Sequence, residues 1–337
     1  MRPITNPPNP FESQYREFLE PAPWASVEIY EDAARQILSR NDSPDLSFRW
    51  SVNPYRGCFH ACAYCYARPT HEYWGFGAGT DFDTKLIMKP NAAALLRQAF
   101  VERSWRGEVV VFSGNTDCYQ PLEATYRLTR ACLEVCAEFR NPVAIITKSA
   151  LVLRDLDILR ELHRHAWLRV YVSIPFLDTV TARRIEPGAP SPDKRFRTLR
   201  ALSGEGLRTG VSLAPIIPGL NEHDIPRLVR RAKASGATDA FMSLIRLPGN
   251  TEATFAERLQ EAFPDRADKV FRGIRRAREG PLSTSRFFER HKGRDAAWDT
   301  SRRLFEIACR IAGLAPSESA PIPSTFQRPT PDQLALF

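Results

Sequence analysis

Along the middle of the chain the apolar residues gather into short, nearly continuous runs: Leu46 to Tyr55, Glu108 to Ser113, Pro142 to Thr147, Leu168 to Ser173, Thr209 to Ala214 and Asp239 to Ile245. Between them apolar positions recur at helical spacing, from Asn91 to Ser104, Tyr126 to Phe139, Leu151 to His165 and Ile225 to Ala234. Strands apolar on both faces, separated by amphipathic helices, describe parallel βα units whose outer face is covered by the crossovers. Six such units predict an α/β fold, a partial (βα)6 TIM-like barrel over residues 46–248. In such a barrel the functional groups collect at the C-terminal ends of the strands.

The pattern changes on either side of that core. Thr251 to Phe263, Ala267 to Arg278 and Ala297 to Ala312 read as charged amphipathic helices, a C-terminal extension over 249–314 expected to close the open side of the barrel. Within it, Ser285 to Arg294 mixes basic residues with Phe287 and Phe288. That mixture suits a nucleic-acid backbone with stacked bases, and equally a solvated connector with two Phe anchors. Residues 1–45 read as a Pro-rich covering arm with a short helix over Glu28 to Leu38. Residues 315–337 begin as an exposed flexible linker, rich in Pro and Ser through Asp332.

Chemistry concentrates in one short stretch, Gly57-Cys58-Phe59-His60-Ala61-Cys62-Ala63-Tyr64-Cys65-Tyr66. Cys58, Cys62 and Cys65 form a C-x3-C-x2-C cluster with no fourth cysteine at matching distance. A [4Fe–4S] cluster normally takes four thiolates, so three leave one iron open to a small molecule. A structural zinc also takes four ligands, and His60 or His71 could complete its shell. Three core thiols without a metal are the remaining reading.

This loop, with Tyr64 as the aromatic before the last cysteine, resembles that of radical S-adenosylmethionine (SAM) enzymes. The longer string from Asn53-Pro54-Tyr55-Arg56-Gly57-Cys58 through Tyr64-Cys65-Tyr66-Ala67-Arg68 is similar to the spore photoproduct lyase branch, whose members are often labelled DNA repair photolyases. The resemblance covers roughly residues 45 to 315. It implies a radical SAM barrel with a [4Fe–4S] cluster on Cys58, Cys62 and Cys65. SAM would be chelated to the open iron and cleaved reductively, to a 5′-deoxyadenosyl radical, with electrons from an external flavodoxin- or ferredoxin-type donor. It also assigns roles at the strand ends. Gly114, Asn115 and Thr116 match the segment that binds the SAM amino group, Lys148 the lysine that pairs with the SAM carboxylate, and Ser173 a serine near the cofactor. Glu186 is a further site candidate. Without the resemblance these are an ordinary turn, a surface lysine, a strand-end hydroxyl and a helix-flanking charge. Cys118 is the candidate hydrogen-atom donor, although it stands just past Asp117, displaced from the position of the lyase cysteine, and its default is a buried small hydrophobe. Cys132, Cys136 and Cys309 read as core.

Composition adjusts this picture little. At 43% hydrophobic, a chain of 337 residues can bury a sizeable core. The seven cysteines are scattered among apolar runs, which excludes a disulfide framework and suits a reducing compartment. The first residues lack an apolar targeting segment and no run approaches 18 apolar residues, so a soluble, cytoplasmic protein is expected, with no membrane partner. A net charge of +8, carried by 40 Arg and only 7 Lys, favours an anionic partner such as nucleic acid. The last five residues, Gln333-Leu334-Ala335-Leu336-Phe337, resemble the Gln-Leu-Ser/Asp-Leu-Phe peptide by which bacterial repair and replication proteins bind the polymerase sliding clamp, with Gln333, Leu334, Leu336 and Phe337 at the matching positions. A tail folding back on the enzyme's own surface is the plainer alternative. Three functions therefore follow: a radical SAM enzyme acting on nucleic acid in the manner of lesion repair, a radical SAM enzyme modifying protein, RNA or a small molecule, or a non-enzymatic Fe–S or zinc adaptor docking on replication machinery.

Overall fold

The computed structural model describes residues 9–11, 26–316, 322 and 324–329. Six parallel strands form its centre: β1 Trp50–Val52, β2 Val110–Phe112, β3 Val143–Thr147, β4 Leu168–Ser173, β5 Thr209–Ile216 and β6 Asp239–Leu244. They lie in sequence order, β1 beside β2 through to β5 beside β6, with Trp50 opposite Val110, Val143 opposite Leu168 and Gly210 opposite Asp239. Strands β2 and β4 are buried along their whole length, which is why their sequences show no polar alternation. Helices α1 Ala92–Val101, α2 Leu128–Glu138, α3 Leu156–His165, α4 Thr179–Ile185, α5 Pro192–Gly204 and α6 Ile225–Ala234 fill the crossovers. The predicted (βα)6 core is present. The sheet does not close on itself: Leu38–Arg40 extends it antiparallel beside β1, and Ala315–Pro316 extends it parallel beside β6.

The extension supplies helices α7 Thr251–Ala262, α8 Pro264–Arg278 and α9 Ala296–Ala312. Helix α7 lies against the cysteine loop, where Thr251 Oγ1 donates to the Cys65 carbonyl at 3.2 Å. Helix α9 packs on α6, outside the sheet.

Two expectations are corrected. Glu28 to Leu38 is not a helix. Glu28–Glu31 is a strand parallel to Lys85–Met88, and Leu38 opens the strand Leu38–Arg40. Ile29 and Tyr30 favour an extended chain, and the sheet edges beside them supply backbone partners that no isolated helix could match. The tail after Ala315 is not wholly an exposed linker. Thr325 Oγ1 donates to the Arg140 carbonyl at 2.7 Å, Ser324 Oγ to the Gly107 carbonyl at 2.8 Å, and the Gln327 amide to the Phe139 carbonyl at 2.9 Å. The Phe326 ring stacks on Phe139 at 6.0 Å and meets Phe100 edge-on at 5.9 Å. A methyl group at Gly107 would stand 2.2 Å from Phe326 Cβ, so the glycine leaves room for this contact. Gly107 and Arg140 precede β2 and β3, so the segment sits under the N-terminal ends of the strands. Gln333 to Phe337 lie outside the described residues. Among the described residues no helix is long and apolar enough to cross a membrane.

Candidate active site

The cysteine loop follows β1 and is a chain of tight turns, with the Ala61 amide bonded to the Cys58 carbonyl at 3.0 Å and the Cys65 amide to the Cys62 carbonyl at 3.2 Å. Ala61 adopts φ 53°, which a non-glycine residue holds only when its surroundings enforce it. The enforcement is visible. Two buried arginines bind the loop's carbonyls: Arg258 from α7 donates to Ala61, and Arg68 donates to Cys62 at 2.9 and 3.1 Å. Both guanidinium groups share Asp83, at 2.9 and 2.6 Å. On the other side Gln120 donates to the Gly57 carbonyl at 3.0 Å and accepts from the Phe59 amide at 3.1 Å. The Gly188 amide donates to the His60 carbonyl at 3.1 Å, and a Cβ there would fall 2.0 Å from the Phe59 carbonyl oxygen.

The three thiols sit close enough to repel one another as thiolates. Burial pushes all three up, and the Cys62 thiol, pushed up to about 12, also feels Glu186 and Cys65. Among the described residues, however, no three His, Cys, Asp or Glu side chains converge as ligands of one metal ion do. A single zinc would draw its thiolates to about 2.3 Å from one centre. His60 Nδ1 instead lies 3.3 Å from Asp117 Oδ2, and His71 is held between the Phe76 and Phe82 rings. An iron–sulfur cube carries each thiolate on a different iron, so three cysteines spread over one loop, with no fourth beside them, fit a [4Fe–4S] cluster with one open iron and do not fit a zinc shell.

Above the loop, at the C-terminal ends of β3 and β4, the structure brings together Tyr64, Lys148, Ser173 and Glu186. Glu186 is 1% exposed and accepts from the Tyr64 hydroxyl and from Arg195. Lys148 Nζ stands 4.0 Å from Glu186 and 5.8 Å from the centre of the Tyr64 ring. Arg195, on α5, also donates to the Ser173 carbonyl at 3.1 Å, so strand β4 and Glu186 share one guanidinium. Burial alone would neutralise Glu186, but the Arg195 and Lys148 charges hold it below the ordinary carboxylate range. Burial likewise opposes the charge on Lys148, yet Cys62 and Glu186 raise its pKa, keeping an ammonium beside the loop. Asp117 fixes the base of that lysine, accepting from the Lys148 amide at 2.8 Å and the Thr147 hydroxyl at 2.7 Å.

Gly114, Asn115 and Thr116 form the turn after β2, next to the loop: Tyr66 Oη donates to the Gly114 carbonyl at 3.0 Å, and Asn115 Nδ2 to Thr70 Oγ1 at 3.4 Å. The Thr116 hydroxyl is bonded to Asn53 and to the Tyr55 carbonyl at 2.8 Å, which ties this turn to the segment between β1 and the cysteine loop. Cys118 is fully buried in the same apolar core that holds Cys62 and Tyr64, with its carbonyl accepting from Thr129 at 2.6 Å. Arg195, Asp117, Gln120 and the Arg68–Asp83–Arg258 triad were not singled out by sequence reasoning. Their only signal is charge or amide functionality within otherwise apolar segments.

A loop of three cysteines at the mouth of a parallel, incompletely closed barrel, with a half-buried lysine and a buried glutamate above it, fits an iron–sulfur site open to one further ligand. The sequence pattern of the Radical SAM superfamily matches residues 52–232, more than half of the chain, and the chain belongs to this superfamily, whose cofactors are a [4Fe–4S] cluster and SAM. An uncharacterized protein of Mycobacterium tuberculosis is 39% identical over 222 residues, and the match spans 65% of this chain and 65% of the relative's length. The Radical SAM Nalpha-GlyT isomerase of Pseudomonas phage M6 is 23% identical over 245 residues, 72% of this chain and 49% of that protein. Spore photoproduct lyase superposes with a TM-score of 0.62 over 86% of this chain and 81% of its own, at 15% identity, which establishes a common fold.

Proposed function

We propose that this chain is a radical SAM enzyme acting on nucleic acid, in the manner of lesion repair. When bound, the cluster and SAM supply a one-electron cleavage that yields a 5′-deoxyadenosyl radical able to abstract hydrogen. Everything else falls to the chain. Cys58, Cys62 and Cys65 hold three irons. Lys148 offers its ammonium to the SAM carboxylate, oriented by Asp117 through its own amide and by Glu186 through its charge. The turn Gly114–Thr116 and Ser173 offer short polar groups and backbone to the amino group. Tyr64 and Glu186 close the space beside Cys62 and exclude water. Cys118, whose side chain is fully buried, is given no step here.

The observation that carries the reading is the convergence of Lys148, Tyr64 and Glu186 on the Cys62 side of the loop. Support for nucleic acid comes from the net charge of +8 and from the fold shared with spore photoproduct lyase, one form of which has bound AdoMet and dinucleoside spore photoproduct. Reconstituted protein, reduced by a flavodoxin- or ferredoxin-type donor and given SAM with damaged oligonucleotides deuterated on the lesion, should form 5′-deoxyadenosine that has gained deuterium from the oligonucleotide. Absence of 5′-deoxyadenosine would exclude the enzyme. Deuterium gained only from labelled peptides or small molecules would shift the substrate. We also propose that Gln333, Leu334, Leu336 and Phe337 dock on a polymerase sliding clamp. Removing Gln333 to Phe337 should abolish binding to purified clamp and leave SAM cleavage intact, and equal binding by both proteins would refute it.

A further inference from the structure

Between α8 and α9 the chain folds into a compact loop, residues 279–295, at the C-terminal end of β6, where the Leu244 amide donates to the His291 carbonyl at 3.0 Å. The loop encloses a cavity of about 300 Å³ lined by four cations, Arg278, Arg286, Lys292 and Arg294, against two carboxylates, Glu279 and Glu289. Arg294 pairs with both carboxylates, with Glu289 directly and with Glu279 at 3.9 Å. Arg286 and Lys292 have no carboxylate partner among the described residues. Arg278 is 8% exposed, and although its Nη2 donates to the Ile245 and Arg290 carbonyls, its Nε and Nη1 have no hydrogen-bond partner among the described residues. Burial, with the Arg246 charge beside it, pulls Arg278 down to about 10, the mark of a buried cation short of an anion. Arg278 lines the cavity, and the exposed Arg286 and Lys292 beside it present N–H groups that suit an oxyanion, the guanidinium fork of Arg286 matching phosphate.

The same loop presents two aromatic rings to solvent, Phe287 at 49% and Phe288 at 59% exposure. Phe288 takes φ 66°, a conformation that costs a bulky residue strain with no packing return here. It is held there by its amide, which donates to Asp45 Oδ2 at 3.1 Å, while Arg290 grips the same carboxylate at 2.8 and 2.5 Å. Asp45 precedes β1 and Arg290 follows β6, so this ion pair spans the opening of the barrel and fixes the loop at its mouth. Arg246 links the loop to the cofactor side, because its charge acts on both Arg290 and Tyr66.

We propose that this loop is a second, substrate-holding site, in which a backbone phosphate of the nucleic-acid strand occupies the Arg278, Arg286 and Lys292 cavity and a base beside it stacks on Phe287 and Phe288. The proposal rests on the nucleic-acid reading above and names the part of the chain that grips the strand outside the barrel. The mode is that of single-strand binding, with cations tracking phosphates and aromatic faces accepting any base.

The test uses cluster-loaded full-length protein and a dye-labelled 20-nucleotide single-stranded DNA, read by fluorescence anisotropy from 50 to 200 mM salt. Arg286→Gln combined with Lys292→Gln should weaken binding at least tenfold at low salt. It should also flatten the salt dependence by about 1.4 in log–log slope, as two lost phosphate contacts require. Phe288→Ala should weaken binding about fivefold with the slope unchanged. Lys292→Arg should retain both affinity and slope, and all three variants should keep their iron and their uncoupled SAM cleavage. If the wild type binds and the double variant binds equally with the same slope, the loop site is overturned and the nucleic-acid reading stands. If the wild type binds no strand, that reading fails and this one with it. Displacement of the strand by a polyglutamate peptide as effectively as by unlabelled DNA would also overturn the assignment, leaving a general anion surface.

Discussion

The cysteine loop and the rim loop at 279–295 are both irregular segments at the same end of one sheet, and they are built in opposite ways. In the cysteine loop nearly every buried group has an internal partner: carbonyls 61 and 62 are taken by Arg258 and Arg68, carbonyl 57 by Gln120 and carbonyl 60 by Gly188. At the rim loop, Arg278 at the end of α8 keeps N–H groups unpartnered, Arg286 and Lys292 stand without carboxylates among the described residues, and two Phe rings face water. A closed set of bonds suits a fixed inorganic cofactor that must sit in one geometry. An open set suits a partner that arrives and leaves. What differs is not polarity, since both loops are rich in charge, but whether those charges are already satisfied.

Cuts of the same kind should therefore have different costs in the two places. The largest effect is expected on the ligands: Cys58→Ala, Cys62→Ala or Cys65→Ala should abolish the cluster's visible absorption and all SAM cleavage, whereas Cys132→Ala and Cys309→Ala should not. Four irons per chain in the triple variant would overturn the ligand set. Next come the clamps. Asp83→Asn leaves two buried arginines short of their shared carboxylate, and Arg195→Met leaves Glu186 uncompensated. Each should cost about 3–5 kcal/mol in urea unfolding and lower the iron content. Lys148→Ala should keep the cluster and weaken SAM binding by roughly 30-fold, the scale of one charge-assisted contact of about 2 kcal/mol, measured by calorimetry. Unchanged affinity would remove Lys148 from the site.

A smaller effect follows from His71, which burial pulls down to about 4. The unfolded chain takes up a proton near pH 6.5 that the folded chain refuses, so stability is full above that pH and falls as pH drops toward 4, by at most about 3 kcal/mol. The pH dependence of urea midpoints should flatten over this window in His71→Leu. Smallest of all, Arg286→Gln with Lys292→Gln should leave stability within about 0.5 kcal/mol, as for surface positions generally. A loss as large as that of Asp83→Asn would erase the contrast between the loops.

The strands and the cysteine spacing were legible because each is a local signal: an apolar run of strand length, or three thiols in eight residues. Lys148 and Glu186 were legible only through resemblance, because their meeting depends on how β3 and the segment after α4 are brought together. Arg195 gave no sign, since an arginine in Asp193-Lys194-Arg195-Phe196 reads as a solvated helix face until the fold turns it toward Glu186. The strand at Glu28–Glu31 was missed for a related reason. Its four residues are all exposed, and the pairing that makes them a strand lies more than fifty residues away at Lys85–Met88. The docking of Phe326 could not be read from a stretch poor in apolar periodicity, because one ring and a few backbone bonds suffice where Gly107 makes room.

That docked segment also sets a reach. A chain running free from Pro316 could place Phe337 up to about 70 Å away, at about 3.4 Å per extended residue. With Arg328 pinned to the Glu102 carbonyl at 2.7 Å, the limit shrinks to about 30 Å, measured from under the strands, at the end opposite Cys58, Cys62 and Cys65. Whatever Leu336 and Phe337 touch must therefore come within about 30 Å of the point where Arg328 is held.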